Sequence, residues 1–224
     1  MRTYGCRRIQ IWLERKYRIH YNYKMIWRVM RKYGIASSIR RKRFRRCGDQ
    51  VRTYPNLLNR TFSATEPNQK WVTDISYIQP KEGVLYLSMI RDLYDRSIVA
   101  YKTSTTQNTK LVLDTIQAAM EKEKVATEVQ LHSDQGFQYA SLSYFTLTQR
   151  YGITPSMSRC GNPYDNAVAE NFFGILKAEC IRPAKPKTLL EANSLISEYI
   201  YFYNHIRIQT KTKLTPLEKR CQFA

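Results

Sequence analysis

Residues 70–105 read KWVTDISYIQPKEGVLYLSMIRDLYDRSIVAYKTST. Three short runs rich in β-branched and aromatic residues lie in this stretch: WVTDISYIQ (71–79), VLYLSMIRDL (84–93) and SIVAYKTST (97–105). Pro80, Gly83 and Asp95 punctuate them. The pattern predicts three consecutive strands in an antiparallel meander. Downstream, residues 109–124 predict a helix with Leu113, Ile116 and Met120 on one face, and EVQLHSD (128–134) a short buried strand. A helix near 141–151, a strand near 153–157, a helix over about 165–180 and an amphipathic helix over 188–203 follow. A meander followed by helix and strand in alternation predicts an α/β layered domain with a mixed sheet.

The sequence upstream of Lys70 has a different character. The 224-residue chain carries 37 Lys and Arg against 18 Asp and Glu. Residues 1–60 hold 18 of the basic and 2 of the acidic residues, a local net charge of +16. The remaining 164 residues are nearly balanced. Such asymmetry points to a polyanion-binding segment joined to a separate globular unit. Within it, YGCRRIQIWLERKY (4–17) and NYKMIWRVMRKY (22–33) show helical spacing of apolar residues, with Asn22 as N-cap and Gly34 at the C-terminal stop. Two short basic helices joined by a turn predict a helix-turn-helix-like unit. SIRRKRFRRC (38–47) has almost nothing to bury, so Arg40, Arg41, Lys42, Arg43, Arg45 and Arg46 are expected along DNA phosphates. Pro and Asn recur over 48–68, a linker composition. The expected division is therefore a basic helical segment at 1–47, a linker at 48–68, a core at 69–180 and a C-terminal helical extension at 181–224.

Five scattered cysteines with no CxxC pair exclude a disulfide framework and a cysteine zinc site, and three histidines argue against a histidine metal site. No signal peptide or long apolar run is visible, so no membrane is expected and the cytoplasm is the default location.

Three carboxylates draw attention. Asp74 interrupts an apolar strand, where an acid persists only if paired, hydrogen-bonded or bound to metal. Asp134 ends a buried strand, where α/β sheets bind ligands. Glu170 shares one helix face with Asn166, Gly174 and Lys177, while Val168, Phe172, Ile175 and Leu176 look inward. Singly, each could equally be a solvated or turn residue. Together they offer hard oxygen donors suited to Mg²⁺ and to phosphoryl transfer.

Asp134 and Glu170 have 35 residues between them. With an earlier Asp on a first strand, that spacing resembles the retroviral-integrase-like DDE transposases. The words WVTDISYI, HSDQGFQY, SMSRCGNPYDNAVAENFFGILKAE and YNHIRIQTKTKLTPLEKR resemble the second-reading-frame protein (OrfB) of the IS-three family of bacterial insertion sequences, IS150-like members included. The resemblance covers nearly the whole chain. It implies an RNase H-like fold, a five-stranded mixed sheet flanked by helices behind the basic helical segment. It implies a transposase that cleaves element ends to free 3′-hydroxyls and joins them to target DNA by in-line displacement. Asp74, Asp134 and Glu170 would be its catalytic residues and metal ligands, for Mg²⁺ or Mn²⁺, two ions with DNA bound. Lys177 would contact the element end; Asn162, Arg159 and Arg207 are further expected DNA contacts, and His132 is expected to be structural. Implied partners are transposon ends, target DNA, further copies of the chain and the upstream-frame product, in a nucleoid-associated setting. The competing readings are a nonspecific RNase H-like nuclease and a truncated or inactive copy that only binds DNA.

Overall fold

The computed structural model describes residues 4–35, 52–125, 128–160 and 162–223. The expected phosphate-contacting residues Arg40–Arg46 lie outside them. The chain forms two compact units, Met1–Cys47 and Gly48–Ala224.

In the first unit, α1 (Cys6–Tyr17) and α2 (Tyr23–Lys32) form the helical pair. The Asn22 side chain accepts the Lys24 amide and so caps α2. At the other end Gly34 takes φ +63°. The Ile35 amide bonds the Met30 carbonyl at 2.8 Å and the Gly34 amide that of Arg31 at 3.3 Å, a Schellman stop. Ile26 and Met30 are buried, but Met25 and Val29 are about half exposed, because two helices supply one seam rather than a surrounding core.

The second unit holds a five-stranded sheet in the order β3-β2-β1-β4-β5. Its strands are β1 (Lys70–Ile78), β2 (Leu85–Asp92), β3 (Ile98–Ser104), β4 (Val129–Ser133) and β5 (Ile153–Met157). The meander is antiparallel; β1–β4 and β4–β5 are parallel. Side-chain alternation sends neighbours to opposite faces. Trp71, Ile90, Val99 and Leu131 face one way, under α3 (Thr109–Glu123) and α4 (Leu142–Arg150). Val72, Leu87, Met89 and Ile98 face the other, under α5 (Ala167–Leu176) and α7 (Leu189–His205). The two apolar layers explain why Trp71–Thr73 is buried on both sides.

Three details depart from the sequence reading. The helix expected over 165–180 is a composite: a 3₁₀ turn (Pro163–Asn166), α5, a π turn (Lys177–Ile181) and a last short turn α6 (Arg182–Ala184). Pro183 has no amide to give an α-helical bond, and the Arg182 amide reaches the Lys177 carbonyl instead. Secondly, α5 is rotated from the expected face: Ala169, Phe172, Phe173 and Leu176 are buried while Val168 and Ile175 are only partly so. A small residue at 169 lets the helix approach β1.

Thirdly, residues 52–68 are not a loose tether. Leu58 is 1% exposed. The Met157 amide bonds the Pro55 carbonyl at 3.3 Å, and the Leu57 amide bonds Ser156 Oγ at 2.9 Å. The stretch thus covers the outer edge of β5, an edge that tolerates Pro155. Leu58, not the surrounding Pro and Asn, carries this information.

Candidate active site

The parallel register pairs Val72 with His132. Two residues further along come Asp74, still in β1, and Asp134, just past the end of β4, so the register of the two strands sets them side by side. Asp74 alternates with Val72 and so shares the face that α5 covers. That helix packs on β1 and brings Glu170 over the same spot. The three carboxylates line one open cleft of about 600 Å³, together with Arg159, Asn162 and Asn166.

Each aspartate is turned onto its own backbone. Asp74 Oδ1 accepts the Ile75 amide at 2.7 Å and Asp134 Oδ1 the Gly136 amide at 2.9 Å. Accordingly, no three His, Cys, Asp or Glu side chains among the described residues stand close enough together to hold one metal ion. The electrostatics still tie them. Burial first, then the Asp134 charge and more weakly Glu170, push the Asp74 carboxyl up to about 7, against the pull of the Ile75 amide and Lys177. Burial also raises Asp134. Such a pocket disfavours bare anions and favours a compensating cation.

Lys177 donates to Ser76 Oγ at 2.8 Å and lies 4.9 Å from the Tyr77 ring centroid, on the Asp74 face of β1. Asn162 opens the 3₁₀ turn, its side chain accepting the Tyr164 amide. Asn166 is 5% exposed, and its Oδ1 has no protein partner among the described residues. His132 is fully buried, its ring nitrogens 2.8 Å from Ser156 Oγ and 3.1 Å from Ser158 Oγ. Burial holds it below the usual imidazole range, and its place is structural.

Arg207, expected on DNA, is instead bound to Glu179: Nη2 at 2.7 Å and Nε at 2.9 Å. It does not line the cleft. The neighbouring Tyr203 and Asn204 are packing residues. Tyr203 is 2% exposed against Phe172, and Asn204 takes both backbone groups of Ile98, closing the β3 edge. Tyr203 also accepts Arg91, a buried arginine of β2 that donates to the Val168 carbonyl in the first turn of α5. That brace under the Glu170 helix has no sequence signal beyond a charged residue in an apolar strand.

Gly136 lies in the turn that follows Asp134. A Cβ placed there would meet Asp134 Oδ1 at 2.9 Å and Gln138 Oε1 at 3.0 Å. Gly136→Ala must therefore turn the Asp134 carboxylate or Gln138 aside. We expect a loss of about 10–100-fold in any turnover that depends on the Asp134 carboxylate, the scale for groups that orient a reacting residue, with little change in melting temperature. Steady-state rates and thermal melts on the same sample check this.

With fold and cleft in place, comparisons with known proteins agree. Residues 64–163 match the family model of the integrase core domain, residues 170–223 a second model of the same description, and residues 1–43 an HTH-like domain. The InsK protein of insertion sequence element IS150 of Escherichia coli is 39% identical over 221 residues, covering 98% of this chain and 78% of its own. The transposase for insertion sequence element IS904 of Lactococcus lactis is 39% identical over 193 residues, covering 84% and 76%. Among solved structures, the catalytic core domain of HTLV-2 integrase, in complex with magnesium, superposes with TM-score 0.55 at 15% identity, over 70% of this chain and 98% of that one. The class is thus the integrase catalytic core, an RNase H-like fold. The chain belongs to the IS-three family of insertion-sequence transposases, with an HTH-like domain ahead of that core. Among the described residues no helix is long and apolar enough to cross a membrane.

Proposed function

We propose that this chain cleaves insertion-sequence ends to free 3′-hydroxyls and transfers them to target DNA, with Asp74, Asp134 and Glu170 as its catalytic carboxylates. The observation that carries the reading is their convergence on one open cleft from two adjacent strands and a covering helix. All three are hard oxygen donors, a set that fits Mg²⁺ and admits Mn²⁺. The cation, as a pair when DNA is bound, would neutralise charge on the phosphate and lower the pKa of the attacking hydroxyl. The protein's own part is to set the carboxylates by strand register, to keep the cleft open to a duplex, and to hold Lys177, Asn162 and Arg159 at its margin for backbone phosphates.

The division of labour follows the chain. Residues 1–47, with Arg40, Arg41, Lys42, Arg43, Arg45 and Arg46, serve DNA affinity. Residues 69–180 form the catalytic core, braced by 52–68 and 181–223. Two element ends must be brought together, so the working form is a multimer on DNA, joined by the upstream-frame product and located in the cytoplasm at the nucleoid. Strand transfer with a pre-cleaved element end, Mg²⁺ and a plasmid target tests the reading. Joined product is expected. Cleavage without any joining would mean a nuclease, and neither activity, with or without the upstream-frame product, would mean a DNA-binding remnant.

A further inference from the structure

At the cleft mouth Arg159 does not stand alone: a buried carboxylate ties it to a second arginine, Arg60. The Asp165 side chain is fully buried, beneath two guanidiniums that are each half exposed. It accepts the Arg159 backbone amide at 3.1 Å, Arg159 Nε at 2.9 Å and Arg159 Nη2 at 3.1 Å. It also accepts Arg60 Nε at 3.1 Å and Asn56 Nδ2 at 2.9 Å. Five donors saturate a carboxylate's lone pairs. One acid therefore gathers the 52–60 stretch, the end of β5 and the turn into the Glu170 helix.

Two cations on one anion leave a net positive charge. Arg159 turns its Nε and Nη2 inward, and Arg60 only its Nε. The remaining guanidinium N–H groups, Arg159 Nη1 and both terminal nitrogens of Arg60, have no protein acceptor among the described residues. Arg159 lines the carboxylate cleft. Arg60 stands 5.8 Å from the exposed Tyr164 ring beside it. Two planar guanidiniums fixed from behind and half exposed offer free N–H donors of the kind a phosphodiester accepts.

We propose that Arg60 and Arg159 form a phosphodiester-binding fork at the rim of the cleft, with Asp165 as its positioning residue. This rests on the reading of the cleft as a DNA site. It adds Arg60, a residue from outside the expected core, to the surface that grips DNA. The fork holds a backbone phosphate flanking the reacting one.

Salt titration of duplex binding by the full chain tests it. Arg60→Gln and Arg159→Gln should each reduce the slope of log K against log salt by about 0.9, and weaken binding about 10-fold at moderate salt. Arg60→Lys should retain the slope but not the full affinity, since an ammonium cannot fork. Asp165→Asn should raise the KM for DNA far more than it lowers kcat. Melting curves run alongside report any loss of fold. A slope unchanged in both glutamine variants overturns the proposal, whether or not the melting temperature falls, because a simple brace moves stability and not counterion release. Wild-type chain that fails to join DNA with and without the upstream-frame product, while the slope still falls in the variants, would sink the transposase reading and leave the fork standing.

Discussion

Replacing Asp74 or Asp134 by asparagine, or Glu170 by glutamine, is expected to lower 3′-end cleavage and strand transfer by at least about 10³-fold, about 4 kcal/mol of transition-state stabilisation. Each substitution keeps side-chain shape and removes one anion from the cleft, so duplex affinity should hold or rise slightly. A variant that still cuts at close to the wild-type rate removes its residue from the site. Asp74→Asn carries a second expectation. A carboxyl raised to about 7 in the fold is held there by burial and by the Asp134 charge. Protons therefore bind the folded state more tightly than the unfolded, and the ionised group weakens the fold as pH rises from 4 through 7. The asparagine variant escapes this. In metal-free buffer it should melt at or above wild type at pH 8 and lose that advantage near pH 4. Thermal melts at the two pH values decide it. Inactive but no less stable is the signature of a functional charge rather than a structural one.

How far the sequence revealed this site depends on what holds each residue. Asp74 and Asp134 were legible because strand periodicity is local and the parallel register then puts them side by side. Glu170 was legible through its helix face with Asn166 and Gly174. The opposite, inward face differs from the expected one: Ala169 and Phe173 are buried where Val168 and Ile175 were expected. Residues 48–68 were read as linker because Pro and Asn dominate the composition, whereas in 52–68 the buried Leu58 and a few hydrogen bonds to β5 decide the packing. Long-range ion pairs left no trace. Nothing in sequence spacing couples Arg60 to Asp165, 105 residues away, or Arg207 to Glu179, 28 away. Arg207 looked like a DNA contact for that reason: a basic residue in a family motif word carries no sign of a partner.

The largest of these unseen couplings is Arg220, in α8 (Pro216–Cys221). Its Nη1 reaches Asp95 Oδ2 at 2.6 Å and Asp92 Oδ2 at 3.2 Å, and its Nη2 reaches Asn68 Oδ1 at 2.6 Å and also Glu123. Both aspartate side chains are fully buried, and Arg220 is the cation paired with them among the described residues. One C-terminal residue thereby ties the end of β2, the turn after it and the end of α3. Arg220→Met would leave two adjacent buried carboxylates without a countercharge. Breaking a buried pair from one side costs about 3–5 kcal/mol. For a unit of this size that is a fall of about 6–20 °C in melting temperature. The pH dependence fixes the cause. Burial and the Asp95 charge already raise the Asp92 carboxyl, and Arg220 is among the groups opposing that rise. Without the arginine it climbs further, so the folded variant takes up a proton more readily than the unfolded chain. Its deficit should be greatest near pH 8 and shrink as pH falls toward 5. Arg220→Lys should recover only part of the loss, because one ammonium cannot reach both aspartates and Glu123 together. A deficit that grew on acidification would mean that the network is not electrostatic. Since β2 holds β1 in register, and β1 carries Asp74, activity should fall in step with the folded fraction and return at temperatures where the variant is folded.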